Sequence, residues 1–274
     1  MSNKYSILVN TTDSFEDCWF PFFTLFKKFW PEYTGKIYLN TETKVYVHEG
    51  LNIISIQNNI ISPNNKITWS ECFMRALDVI EEDVILYMQE DYFLKDFVKN
   101  DVFENFVKLI TENSDIDCIH LTDQGSPSDK MSEHPNLYTI PKIHQDRISC
   151  QAALWKKEIL KQYPRKYETA WNFEWWGSKR AAILNHNFYV VDNNCVKLNT
   201  FEIIPYLFTA VVGGRWLKEV VPLCVDHNIN IDYSKRGFFE RKTSTLNMRI
   251  RAKLKRLPIE IRSYTGLIQL KLKS

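Results

Sequence analysis

Short apolar runs alternate along this chain with longer stretches whose apolar positions recur at helical spacing, and clusters of polar turn-formers divide them. A short run fits a strand buried on both faces; a periodic stretch fits a helix with one face on the core. The pattern predicts a first strand over Lys4–Asn10 (KYSILVN), a polar loop at Thr11, Thr12 and Asp13, and a helix from about Phe15 to Trp30 capped by Ser14 or Asp13. Pro21 falls inside that helix and either kinks or restarts it. Its stripe of Phe15, Trp19, Phe22, Phe23, Phe26 and Trp30 is that of a core-facing amphipathic helix. Strands over Lys36–Leu39 and Leu51–Ile56, a turn-rich loop at Gln57–Asn65 and a helix from Thr68 or Ser70 to Ile80 follow.

The next run organises the rest. Asp83–Leu94 reads DVILYMQEDYFL, in which Val84–Met88 is an apolar strand that stops at Gln89, Glu90 and Asp91. In an open α/β sheet, ligands bind beyond the carboxyl ends of the strands. Adjacent carboxylates there are costly to bury unless they are paired or hold a cation. Two explanations fit this stretch: a metal–phosphate site, or a solvated strand end.

Downstream the pattern predicts a helix over Val98–Asn113, a strand at Cys118–Leu121 and a polar loop, Thr122–Glu133, of a length often tied to function. A strand at Arg147–Leu154 and a helix at Trp155–Gln162, ended by Pro164, come next. In AWNFEWWGSKR, Asn172 reads as the cap of a helix reaching Leu184, with Glu174 in its first turn. An acid there complements the helix dipole and need do nothing else. The density of Trp171, Phe173, Trp175 and Trp176 around it instead suggests a ligand site. Short strands at Tyr189–Val191 and Val196–Leu198 precede Val211–Trp216, which leads into a short helix. Gly213 and Gly214, placed before a helix N-terminus, would let backbone approach an anion; a tight turn explains them equally. His227 has no second His or Cys near it in sequence and reads as structural.

The order of elements is that of one helix-covered, mostly parallel α/β sheet with a nucleotide-binding first half. Charge divides the chain near residue 240. From residue 241 onward there are ten Lys or Arg and one acid, Glu260, a net +9 that leaves −7 on the first 240 residues. Over Ser244–Leu257 the basic residues flank Leu246, Ile250, Leu254 and Leu257 at helical spacing, which suits an anionic membrane surface; a tail folded back on the domain is the other option. Expected domains are therefore 1–240 and a basic amphipathic tail, 241–274. The acidic main part and the lack of any RNA- or DNA-binding motif argue against nucleic acid. Six dispersed cysteines with no CxxC pair, no signal-peptide core and no apolar run near the roughly 18 residues of a span predict a cytoplasmic protein, peripheral on the inner face of the membrane.

Taken together, SILVNTTD, ILYMQEDYF, SCQAALWKKEIL, AWNFEWWGSKRA and VGGRW make residues 5–240 similar to bacterial GT-A type glycosyltransferases of surface-polysaccharide (capsule or O-antigen lipopolysaccharide) biosynthesis. The resemblance implies a GT-A-like Rossmannoid domain and hexosyl transfer from a nucleotide-diphosphate sugar, UDP-sugar first, to a saccharide or lipid-linked acceptor. It puts Asp91, helped by Glu90, at the position that holds a divalent cation, Mn or Mg. Gln89 departs from the pattern by replacing the first acid of the pair. The resemblance makes Glu174 the general base of an inverting reaction and lets Trp171, Trp175 and Trp176 stack on sugar faces. It brings Thr11, Thr12 and Asp13 to the nucleobase and ribose. A sugar nucleotidyltransferase would use a similar sheet but a Gly- and Lys-rich first loop, which TTD is not. A non-catalytic glycan-binding protein would explain the tryptophans but not the strand-end acids.

Overall fold

The computed structural model describes residues 5–61, 67–122, 131–192, 203–241 and 246–273, with residues 246–252 and 255 described by backbone alone. The expected strand at Val196–Leu198 and most of the expected loop at Thr122–Glu133 lie outside the described residues.

An eight-stranded sheet runs in the order β3-β2-β1-β4-β7-β5-β8-β6. Its first half is parallel: β1 (Tyr5–Asn10), β2 (Lys36–Asn40), β3 (Asn52–Ser55) and β4 (Val84–Gln89). The second half mixes directions. β7 (Ala153–Lys156) runs antiparallel to both β4 and β5 (Cys118–His120); β8 (Phe188–Val191) is parallel to β5, and β6 (Leu137–Thr139) is antiparallel to β8. The fold is thus α/β, GT-A-like, with a mostly parallel central sheet flanked by helices.

Period-2 alternation divides the strand side chains between two cores. Ile7, Val9, Leu86 and Met88 face α1 (Glu16–Phe29) and α3 (Asn100–Glu112). Leu8, Ile85 and Tyr87 face α2 (Trp69–Val79) and α5 (Ala170–Ala181). The aromatic stripe of α1 packs as expected, with Trp19, Phe22, Phe23, Phe26 and Trp30 all at most 1% exposed. Pro21 sits within α1, which is preceded by a 3-10 turn at Asp13–Phe15. Thr68 opens α2 with a reciprocal capping box to Glu71.

Four boundaries differ from expectation. The strand placed at Arg147–Leu154 is confined to Ala153–Lys156, because side chains take the backbone amides before it: Ile148 donates to the Ser178 hydroxyl, Cys150 to Glu174 and Ala152 to the Tyr206 hydroxyl. Trp155 therefore belongs to β7, and the helix after it is only α4 (Lys157–Leu160). Thr169, whose hydroxyl accepts from the Asn172 amide, caps α5 in place of Asn172. The last helix, Leu246–Lys273, continues well past Leu257 and runs through Pro258.

Candidate functional site

The carboxyl ends of β2, β1 and β4 close on a row of amide side chains. Asn40 pairs in register with Asn10, and Asn10 with Gln89. Asn40 Nδ2 donates to Asn10 Oδ1, while Asn10 Nδ2 and Gln89 Nε2 both donate to the Tyr87 hydroxyl, at 3.1 and 3.2 Å. Gln89, where the resemblance expects an acid, is thus bound into this row. Above it opens a cavity of about 590 Å³. Its walls include Asn10, Thr11 and Thr12 at the end of β1, Gln89, Glu90 and Asp91 at the end of β4, Ser149–Gln151, Trp171 and Glu174 of α5, and Phe208, Thr209 and residues 211–214.

Glu90 and Asp91 are 7% and 6% exposed. Burial, reinforced by the neighbouring Asp91 charge, pushes the Glu90 carboxyl well above the ordinary carboxylate range. Asp91 is also raised by burial, against hydrogen bonds that favour its ionised form. Those bonds tie it to the loop that closes the cavity: Oδ2 accepts from the Thr209 hydroxyl and from the Val211 amide at 3.3 Å, and the Asp91 carbonyl accepts from Ala210 at 2.9 Å.

Glu174 is the fifth residue of α5, beyond the first turn where the dipole acts most strongly. The segment before β7 folds against it, and the Cys150 amide donates to Glu174 Oε1 at 2.7 Å. Desolvation outweighs that bond, with Asp146 adding to it, so the Glu174 carboxyl is raised. A carboxyl raised by burial is suited to taking a proton.

The other expected residues separate. Thr11 and Thr12 line the cavity, with Thr11 Oγ1 accepting from Trp19 Nε1 at 2.9 Å. Asp13 does not line it. Its carboxylate accepts from the Glu42 and Thr43 amides at 2.8 and 2.9 Å and from the Thr43 hydroxyl at 2.6 Å, and it borders a separate polar hollow of about 510 Å³. Trp171 stands at the cavity, 80% exposed. Trp175 lies outside it, half exposed, with Lys179 Nζ 4.7 Å from its ring centroid. Trp176 is buried and packs edge-on against Tyr264 of the last helix, ring centroids 4.8 Å apart. Gly213 and Gly214 form the turn between β9 (Val211–Val212) and β10 (Arg215–Trp216), not the start of a helix. Their φ values of +57° and +78° are what such a hairpin turn needs. No helix terminus is there to attract an anion, although the turn borders both hollows. His227 packs on Phe29 and contacts Lys28.

Other cavity residues went unsuspected. Tyr92 stacks on Tyr206 at 4.8 Å, and Gln151 joins them: its Nε2 donates to the Tyr92 hydroxyl at 3.2 Å and its Oε1 accepts from the Tyr206 hydroxyl at 2.8 Å. The amide that ends each of YSILVN, KIYLN and VILYMQ signals the Asn40–Asn10–Gln89 row, whereas no local pattern marks Gln151 or Tyr206.

No family model matches this chain, and no curated protein matches it. Solved structures do. S. aureus TarS 1–349 in complex with UDP-GlcNAc superposes with a TM-score of 0.53 at 15% identity, over 98% of this chain and 81% of that one. The same fragment in complex with UDP gives 0.49 at 14% identity over the same shares. A third TarS 1–349 structure gives 0.43 at 13% identity, and there this chain covers only 58% of the neighbour's length. Likeness at this identity is one of fold.

Among the described residues, no three His, Cys, Asp or Glu side chains gather to hold a metal ion. Glu90 and Asp91 can still supply two hard oxygen donors. That set suits Mg or Mn in company with phosphate oxygens and water, which complete such a shell.

Proposed function

We propose that this chain transfers a sugar from a nucleotide-diphosphate sugar, UDP-sugars first, to a saccharide or lipid-linked acceptor, with inversion at the anomeric carbon. The observation that carries this reading is that one cavity at the carboxyl end of the sheet holds Glu90 and Asp91 on one wall and Glu174 on another. The GT-A-like fold and a fold neighbour solved with UDP-GlcNAc support it. Surface-polysaccharide assembly, of capsule or lipopolysaccharide, is the setting that the sequence resemblance supports.

Glu174 takes the proton of the acceptor hydroxyl as that oxygen bonds to the anomeric carbon. The bond from that carbon to the β-phosphate oxygen breaks, and the nucleoside diphosphate leaves with the electron pair. Glu90 and Asp91 would hold a divalent ion, which when bound neutralises charge on the departing diphosphate. Asp91 also fixes the 209–211 backbone beside that position. Trp171 offers a ring at the cavity mouth for a sugar face.

Glu174→Gln tests the reading. The amide oxygen can still accept from the Cys150 amide, so the local fold is kept, but the base is gone. Transfer should fall by about 10²- to 10⁴-fold while nucleotide affinity holds. Near-wild-type turnover removes Glu174 from the mechanism. A wild-type protein that binds glycans but releases no nucleotide from any sugar donor is a binding module instead.

A further inference from the structure

The last helix has two unlike apolar faces. One meets the domain. Ser263 is 2% exposed and its hydroxyl donates to Tyr167 at 3.3 Å, Arg262 lies over the Tyr167 ring at 4.2 Å, and Tyr264 packs on Trp176. The other face carries Leu254, Leu257, Ile261, Tyr264, Ile268 and Leu272, each 45–83% exposed, and among the described contacts only Tyr264, at its edge, also packs on the domain. At 100° per residue these six fall within an arc of about 80°, with Ser263 roughly opposite its centre. The stripe spans about 27 Å at the helical rise, from residue 254 to 272.

Charge decides what covers it. Over residues 246–273 there are eight Lys or Arg and one acid, Glu260. A second copy packed stripe to stripe would bring two strongly cationic flanks together, which like-charge repulsion opposes. A nucleic acid would satisfy the cations but leave the leucines and isoleucines in water. A lipid surface accepts both, since apolar side chains enter the acyl boundary while flanking Lys and Arg reach anionic headgroups. Among the described residues no helix is long and apolar enough to cross a membrane, so this one would lie along it.

We infer that the exposed stripe of the Leu246–Lys273 helix seats the protein flat on an anionic lipid bilayer. The seat touches the cavity's own frame: Tyr264, at the edge of the stripe, contacts Trp176 on α5, two residues after Glu174. The inference does not depend on the transferase reading, because it predicts lipid binding whether or not any sugar is transferred.

Vesicle co-sedimentation of the full chain tests it, with vesicles of phosphatidylcholine alone or mixed with phosphatidylglycerol. The wild type should pellet with the anionic vesicles, stay in solution with the neutral ones, and be released by about 1 M salt, where screening is nearly complete. The triple variant Leu254→Gln, Ile261→Gln, Ile268→Gln alters exposed positions only and keeps charge and helix propensity. It should lose about tenfold or more in vesicle affinity with an unchanged unfolding midpoint. Wild-type protein that ignores anionic vesicles, or a triple variant that binds them equally, overturns the inference. So does a wild-type dimer in light scattering that the triple variant converts to monomer, since a second copy would then cover the stripe.

Discussion

Arg180 and Glu168 form a buried pair that ties the end of α5 to the residue before its cap. Arg180 Nη1 and Nη2 donate to Glu168 Oε1 and Oε2, both at 2.8 Å, and the Arg165 amide adds a third bond at 3.0 Å. The side chains are 4% and 0% exposed. Even so paired, burial leaves the Glu168 carboxyl raised, so desolvation outweighs the attraction of Arg180. Breaking the pair from one side is another matter, because Arg180→Met strands a carboxylate with no water to receive it. Such losses run at about 3–5 kcal/mol, a urea midpoint shift of about 1 M or more for a chain of this size. The double variant Arg180→Met, Glu168→Met removes both charges and should recover most of that loss, giving a large coupling in a double-mutant cycle. The sign with pH also follows. A carboxyl raised in the folded state above its unfolded value disfavours the ionised fold as pH climbs through that window. Stranding it raises it further, so the cost of Arg180→Met should shrink as pH falls toward 4.5, the ordinary carboxyl value. A single variant that costs under about 1 kcal/mol, or a double variant that costs the sum of the singles, would refute this account of α5.

Two other expectations follow from the cavity. Because Glu90 is raised by burial and by Asp91, it contributes a fall in stability as pH rises above 4.5, and Glu90→Gln should remove that contribution. The variant should match the wild type near pH 4 and exceed it increasingly toward neutral pH in chemical denaturation, and the opposite trend would mean that a fixed cation already neutralises the site. Gly214→Ala meets no atom within 4 Å, so its cost is the φ of +78° alone, about 1 kcal/mol by thermal unfolding; a loss of several kcal/mol would place something else against that turn.

Local pattern made the first half of the sheet legible. The runs at Tyr5–Asn10, Lys36–Asn40 and Val84–Gln89 are apolar because both their faces are covered, and that signal is carried by consecutive residues. What failed depended on distant partners. Asp13 looks free in TTD, but Glu42 and Thr43 capture it from the loop after β2. Trp176 sits in a cluster that reads as one sugar platform, yet α5 turns each tryptophan to a different place, and Tyr264 claims this one from far along the chain. Glu174 was found by its aromatic neighbours, while the contact that positions it, from the Cys150 amide, is invisible to any spacing rule. The Gly-Gly turn shows the opposite limit: its φ requirement and the short helix beyond it, Val220–Asp226, were readable, but not the two-residue strand that separates them.

Thermal unfolding with a panel of nucleotide-diphosphate sugars, with and without manganese, tests the central claim most directly. A ligand held by the native cavity at 100 times its dissociation constant adds about 2.7 kcal/mol of stability. A saturable rise in unfolding temperature with at least one UDP-sugar, larger when manganese is present, is the expected result. No shift with any nucleotide sugar, with or without the metal, would contradict it.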